Sequence, residues 1–215
     1  MEPLNTAKLL EPLELNYVVI TSVDRDDIDD GGARHFADTI TEVKKRNPKT
    51  LLEVLIGDFQ GSEESLLKVI NARPDVISHN LETVRRLTTN IRDRRATYEN
   101  SLLQLKRVKA YNEDIFTKSS LMLGLGETRE EVEEAMKDLR EINVDFLTLG
   151  QYLRPSQKHH PVERFAEPQE FEDLKVLGYK MGFKMVASGP LVRSSYKAGE
   201  FFIKEYIEKQ RKPIQ

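Results

Sequence analysis

The chain has 215 residues and a formal net charge of −3, with 33 Lys and Arg against 36 Asp and Glu, 39% apolar residues and 32% charged ones. That is the length of one good-sized domain or two small ones with enough apolar residues for a core, which excludes a disordered chain, and near balance of charge without a basic block leaves no electrostatic footprint for nucleic acid. No apolar run approaches the roughly 20 residues of a bilayer span, and the opening MEPLNTAKLLEPLEL holds three Glu and no Arg, so no membrane span, secretory signal or transit peptide is expected in the chain as given.

Cysteine is absent. A chain without thiolates forms no disulfide, has no Cys nucleophile, and offers no Cys ligands to zinc or to an iron–sulfur cluster.

In chain order, a strand at Tyr17 to Thr21 precedes a helix over Gly32 to Arg46, which Asn47-Pro48 stops. A strand at Leu51 to Ile56 leads to a helix over Glu63 to Ala72, with Ser62 as N-cap and acids in the first turn. The run Val76 to His79 reads as a strand, followed by helical stretches at Leu81 to Leu87 and Tyr98 to Lys109. A strand at Phe116 to Leu123 precedes a helix over Glu130 to Glu141, opened by Thr128, and a strand at Phe146 to Leu149 precedes a helix over Gln169 to Met181. The last strand is Phe183 to Ala187. Six strands alternating with helices predict repeated βα units, a parallel sheet and, with no large insertion between units, a barrel or part of one over residues 1–187. Residues 188–215 are expected to form a polar loop and a terminal helix whose stripe of Phe202, Ile203, Tyr206 and Ile207 packs on the body.

In such a barrel the site lies at the carboxyl ends of the strands. Reading past each strand gives Ser22 and Asp24 to Asp27, Asp58 and Gln60, and His79, Asn80, Glu82 and Thr83. Further along come Gly124, Gly126 and Glu127, then Gln151, Tyr152 and Arg154, and finally Arg193 to Tyr196. The set is polar and of mixed charge, as a polar organic cofactor requires. Ordinary turns account for the same residues one at a time: Asp24 to Asp30 as a solvated turn capping the helix at Gly32, Asn80 as a helix N-cap, RSSY as a turn closed by its own hydroxyls.

Several better-known motifs fail. DRDDIDDGG is not a calcium loop, because Ile28 stands where a ligand is needed, and GLGETR lacks the third glycine of a dinucleotide turn, with Arg129 in its place. No phosphate-cradling loop and no nucleophile elbow occur, and the adjacent His159 and His160 diverge and have no Cys beside them to make a zinc site.

The ordered segments VVITSVDRDDIDDGGARHFADTI, DVISHNLETV, KSSLMLGLGETREEV, VDFLTLGQYLRPSQKH and VASGPLVRSSYKAGEFF resemble lipoyl synthases, radical S-adenosylmethionine enzymes, from about Glu2 almost to the end of the chain. The ending RSSYKAGEFF looks most like the mitochondrial members, which implies a mitochondrial residence. The resemblance implies a radical SAM (β/α) barrel of the TIM-like kind and insertion of two sulfur atoms into octanoyl groups. These groups are carried on the lipoyl domains of 2-oxoacid dehydrogenases or on the glycine-cleavage H protein. It implies S-adenosylmethionine and two [4Fe-4S] clusters as cofactors, one generating a 5′-deoxyadenosyl radical and the other donating sulfur. By that resemblance Ser22, Asp24, Asn80, Glu82, Gly124, Gly126 and Tyr152 surround S-adenosylmethionine, Arg193 lies near the auxiliary cluster, and Ser195 is a ligand of that cluster.

The chain departs from the family in lacking both three-cysteine motifs and the first barrel strand. The expectation is a partial barrel with an open edge beside Tyr17 to Thr21, unable to hold either cluster stably: an incomplete copy or fragment of a lipoyl synthase, inactive alone. The alternatives are a non-catalytic module binding S-adenosylmethionine or lipoyl carrier domains, complementation by a cysteine-bearing chain, and an unrelated βα-barrel enzyme.

Overall fold

The computed structural model describes residues 1–194, 203–207 and 209, and the chain divides into two compact units. Six strands follow one another in chain order, β1 (Tyr17–Thr21), β2 (Leu51–Leu55), β3 (Val76–Ser78), β4 (Phe116–Leu123), β5 (Phe146–Gln151) and β6 (Met185–Gly189). β1 with β2, β2 with β3, β4 with β5 and β5 with β6 all pair in parallel.

The first unit comprises residues 1–79 and 104–117. Its register pairs Tyr17 with Leu51 and Thr21 with Leu55, then Glu53 with Val76 and Leu55 with Ser78. Helices α1 (Glu2–Leu10), α2 (Ala33–Arg46) and α3 (Glu63–Asn71) accompany these strands. The apolar stripe of α2, Phe36, Ile40 and Val43, is buried with Leu52 and Val54 of β2 and with Leu66, Val69 and Ile70 of α3. Ser62 caps α3 by accepting from Ser65 N at 3.2 Å, and Asp30 accepts from Gly32 N and Arg34 N at 3.0 and 2.9 Å. The acidic turn before α2 therefore has the capping role read from the sequence. A buried carboxylate, Glu53, accepts from the Tyr17 and Ser78 hydroxyls, each at 2.5 Å, so polar groups on three adjacent strands meet on one face.

The second unit comprises residues 80–103 and 118–215. β4 pairs with β5 from Lys118 and Phe146 to Leu123 and Gln151, and β5 pairs with β6 from Phe146 and Met185 to Gly150 and Gly189. All six residues of β5 are buried, as in a strand covered on both faces. α4 (Arg85–Ile91), α6 (Arg129–Glu141) and α7 (Pro168–Lys180) belong to this unit, and α5 (Tyr98–Tyr111) divides between the units at residue 104. Thr128 and Glu131 open α6 with a full capping box. Residues 203–207 are helical, with Ile203 and Ile207 fully buried and the Tyr206 ring edge-on to Phe146 at 6.1 Å. No helix among the described residues is long and apolar enough to cross a membrane.

β6 runs Met185–Gly189 and not Phe183 to Ala187, β5 runs on to Gln151, and two further elements differ from the sequence reading. The helix expected from Leu81 starts only at Arg85, with Val84 at the cap position, so Asn80 is not its N-cap. The reason is tertiary: Glu82 N donates to Ser120 O and Met122 N donates to Glu82 O, each at 2.9 Å, which holds residue 82 in a bridge beside β4. The opening segment, read only for targeting signals, forms α1, tied to the end of α2 by Asn47 Nδ2 donating to Ala7 O at 3.1 Å.

Candidate functional site

Strand β4 ends where its last residues meet two further segments of the second unit. On one side lies the bridge of Glu82 with Leu121, and on the other Tyr152 N donates to Leu123 O at 2.8 Å. Residues 124–127 turn away between them. The fold thus brings Asn80, Glu82, Gly124, Gly126 and Tyr152 to the carboxyl end of one strand, where parallel βα proteins keep their sites.

Asn80 and Glu82 point their side chains at one another: Asn80 Nδ2 donates to Glu82 Oε1 at 3.1 Å. The Asn80 Oδ1 is buried and has no hydrogen-bond partner. A buried acceptor left open is costly, and a ligand carrying a donor satisfies it. Glu82 sits at φ 68°, a left-handed conformation that a non-glycine residue adopts only under constraint from its surroundings. Burial pushes its carboxyl above the ordinary 4.5, against the opposing pull of the Asn80 amide and the Arg92 charge.

Gly124 and Gly126 have φ of 101° and 99°. A Cβ on Gly124 would fall well inside 3.0 Å of Gln151 Nε2 and Arg164 O, so the loop passes these groups at a distance only glycine permits. Glu127, which is buried, closes the loop by accepting from Gly124 N and Leu125 N, each at 2.8 Å. Arg86 donates to Gly126 O at 2.8 Å and reaches both oxygens of Glu131. Tyr152 is 7% exposed and its hydroxyl donates to His160 O at 2.9 Å.

Arg193 is exposed and lies beside Gly150, its Nη1 donating to Val192 O at 2.7 Å, away from the Asn80–Glu82 pair in its contacts. Ser195 lies outside the described residues, as does Phe202. Ser22 and Asp24 belong to the first unit and are exposed past the end of β1. There Asp24 Oδ1 lies 2.6 Å from where a Cβ on Gly57 would stand, just past β2. His159 and His160 shape the segment after β5: Ser156 Oγ lies 2.9 Å from His159 Nδ1, and Arg154 Nε donates to His159 O at 2.9 Å.

The strand-end reading touched Glu127 and Gln151 without giving them a role. Gln151 Nε2 donates to Arg164 O at 3.0 Å and its Oε1 accepts from Ala166 N at 2.9 Å. Arg164 itself carries no signal in the sequence, because it stands 13 residues past the end of β5 in a stretch without periodicity.

One open acceptor, Asn80 Oδ1, beside the Glu82 carboxyl fits an organic ligand that carries hydrogen-bond donors. These groups do not fit an iron–sulfur cluster, whose usual thiolate ligands these 215 residues lack.

Comparison with known proteins extends the geometry. The model of the radical SAM superfamily matches residues 2–139. The apicoplast lipoyl synthase of Plasmodium knowlesi is 56% identical over 210 residues, covering 98% of this chain and 48% of that protein. The lipoyl synthase of Myxococcus xanthus is 54% identical over 211 residues, 98% of this chain and 71% of the relative. The mitochondrial lipoyl synthase of Trichoplax adhaerens is 51% identical, over 98% and 60%. The chain thus spans about half the length of several relatives that it matches almost end to end. Among solved structures, HydG, a maturase of the [FeFe]-hydrogenase, superposes with a TM-score of 0.67 at 16% identity, over 96% of this chain and 47% of that one. Methylornithine synthase superposes with a TM-score of 0.65 at 14% identity, over 100% and 73%. At such identities the structural likeness speaks for the fold alone, a partial (β/α) barrel. Family match and relatives agree: the chain belongs to the radical SAM superfamily and, within it, to the lipoyl synthases.

Proposed function

We propose that this chain is the S-adenosylmethionine-binding part of a lipoyl synthase, serving the insertion of two sulfur atoms into octanoyl groups on lipoyl domains or on the glycine-cleavage H protein. The observation that carries the reading is 50% to 56% identity to lipoyl synthases along 98% of the chain. Asn80 Oδ1 and the Glu82 carboxyl are acceptors for the hydroxyl and ammonium donors of the ligand, with Glu82 held in place by its backbone bridge to β4. Gly124 and Gly126 let the loop turn at positive φ beside that pair, and buried Tyr152 walls the opposite side of β4. Ser22 and Asp24, in the other unit, stand as cofactor-binding residues on the resemblance alone, as do Arg193 and the cluster ligand Ser195.

S-adenosylmethionine bound in such a site supplies the hydrogen-abstracting chemistry from which the superfamily takes its name. The residues of this chain bind it, orient it and keep water from it. The proposal stops at binding for these residues by themselves, because no cysteine is present to hold a cluster. Residence in an organelle, the mitochondrion on the evidence of the RSSYKAGEFF ending, is supported by mitochondrial, apicoplast and chloroplastic relatives.

The test is anaerobic calorimetric titration of S-adenosylmethionine into the chain and into Asn80→Ala and Glu82→Ala. Binding by the parent, weakened about tenfold or more in each variant, is the expected result. Equal affinity in all three removes Asn80 and Glu82 from the site, and no binding by the parent overturns the reading.

A further inference from the structure

Residues 152–167, between β5 and α7, are tied to the glycine loop in two ways and to the end of β5 in a third. Glu163 N donates to Gly124 O at 2.9 Å. The buried carboxamide of Gln151 grips the segment on both sides of Phe165, at Arg164 O and at Ala166 N. The second tie to the loop is ionic. The Glu127 side chain, only 1% exposed, holds the amides of Gly124 and Leu125, and Arg164 Nη2 donates to its Oε1 at 3.0 Å. The same guanidinium is held from its other side by Glu170, in the first turn of α7, through Nη1 at 2.7 Å and Nη2 at 2.8 Å.

One cation thus serves two carboxylates on two elements. A planar guanidinium can do so because its five donors form a fixed fork, which an ammonium lacks. An isolated surface ion pair contributes little, but Glu127 is buried, and loss of its counter-charge leaves a desolvated carboxylate as the anchor of two loop amides. The weight of the arrangement therefore falls on the glycine loop rather than on α7.

We propose that Arg164 is a positioning residue for the glycine loop: by bridging Glu127 and Glu170 it fixes the Gly124 and Leu125 amides in one orientation and makes residues 152–167 a strap that loosens together with that loop. The effect on ligand binding rests on the adenosyl reading of the loop, whereas the mechanical coupling does not.

The experiment pairs residue-resolved amide hydrogen exchange with S-adenosylmethionine titration on the parent chain, Arg164→Ala, Arg164→Lys and Glu170→Gln. In Arg164→Ala the amides of Gly124, Leu125 and Ala166 are expected to exchange together, about tenfold faster or more, while those of β5 and the middle of α6 keep their protection. Arg164→Lys retains the charge without the fork and should recover part of the protection, with Glu170→Gln between it and the parent. Affinity for S-adenosylmethionine should fall in the same order. Faster exchange confined to the strap or to α7, or spread over the whole second unit, overturns the coupling. Faster loop exchange with unchanged affinity overturns the positioning role. If Arg164→Ala does not fold, Arg164→Lys and Glu170→Gln decide the same comparison. If the parent chain binds no S-adenosylmethionine, the adenosyl reading falls, and exchange still decides the coupling.

Discussion

Burial raises the Glu82 carboxyl above its ordinary 4.5, so over the window between that value and the folded one the native chain holds a proton that the unfolded chain has released. Stability must then fall as pH rises through that window, the reverse of a salt-bridged carboxylate. Glu82→Gln keeps the acceptor that Asn80 uses and cannot ionise. Thermal melts from about pH 4 to about pH 8 should show the variant losing less stability than the parent as pH rises, while its affinity for S-adenosylmethionine drops. A parallel pH dependence in both chains would remove Glu82 as the source. Gly124 poses a steric question in place of an electrostatic one. Alanine there must adopt φ near 101° and press on Gln151 Nε2 and Arg164 O, whereas at Gly61, with φ 76°, an added Cβ meets nothing within 4 Å. Gly124→Ala should cost about 3 kcal/mol, from strain and overpacking together, and Gly61→Ala about 1 kcal/mol, from strain alone. Urea unfolding of the two variants measures the difference, and equal costs would mean that the close approach at Gly124 relaxes freely.

At the scale of elements, α6 begins where the glycine loop ends, and its capping box decides how sharply. Thr128 Oγ1 accepts from Glu131 N at 3.3 Å, and the Glu131 carboxylate returns to Thr128 N at 2.8 Å while also holding Arg86. Thr128→Ala should cost about 1 kcal/mol, a fall in melting temperature of roughly 2–4 °C for a chain of this size, with Thr128→Ser close to the parent. Unchanged melting in the alanine variant would show that Arg86 holds Glu131 in place without the cap. That box was legible in the sequence, since Thr128 before Arg129-Glu130-Glu131 carries its own chemistry. The strands were legible for the same local reason: β1 and β4 begin and end where their β-branched and apolar runs do. β5 runs two residues further than its apolar run, because Gly150 and Gln151 are held by pairing with β4. The misplaced start of α4 has the same origin, for Leu81 to Val84 have helical neighbours in sequence but a hydrogen-bonded partner in β4. α1 buries only Ala7, too little to show as a stripe. The site divides likewise: Asn80, Glu82 and the two glycines follow strands and could be found by position, whereas Arg164 is brought to Glu127 across 37 residues by the fold alone.

For the whole molecule, the decisive asymmetry is between the site proposed for S-adenosylmethionine and the absence of a thiolate for a cluster among these 215 residues. A ligand that binds only the folded state stabilises it by RT ln(1 + [L]/Kd), about 2.7 kcal/mol at a hundredfold excess over Kd. For a chain of this length that amounts to a rise in melting temperature of roughly 5–10 °C. The proposed contacts at Asn80, Glu82, Gly124, Gly126 and Tyr152 all lie in the second unit, so the rise should appear in probes of that unit, such as the fluorescence of Tyr152 or exchange at Leu125. Anaerobic reconstitution with iron and sulfide is expected to leave far less than one cluster per chain, and its presence or absence should not change the thermal shift, because the acceptors at Asn80 and Glu82 do not depend on it. A stoichiometric cluster would require ligands other than cysteine and would overturn the division between binding and cluster chemistry. A thermal shift seen only after reconstitution would mean that the ligand is held chiefly by iron and not by the end of β4.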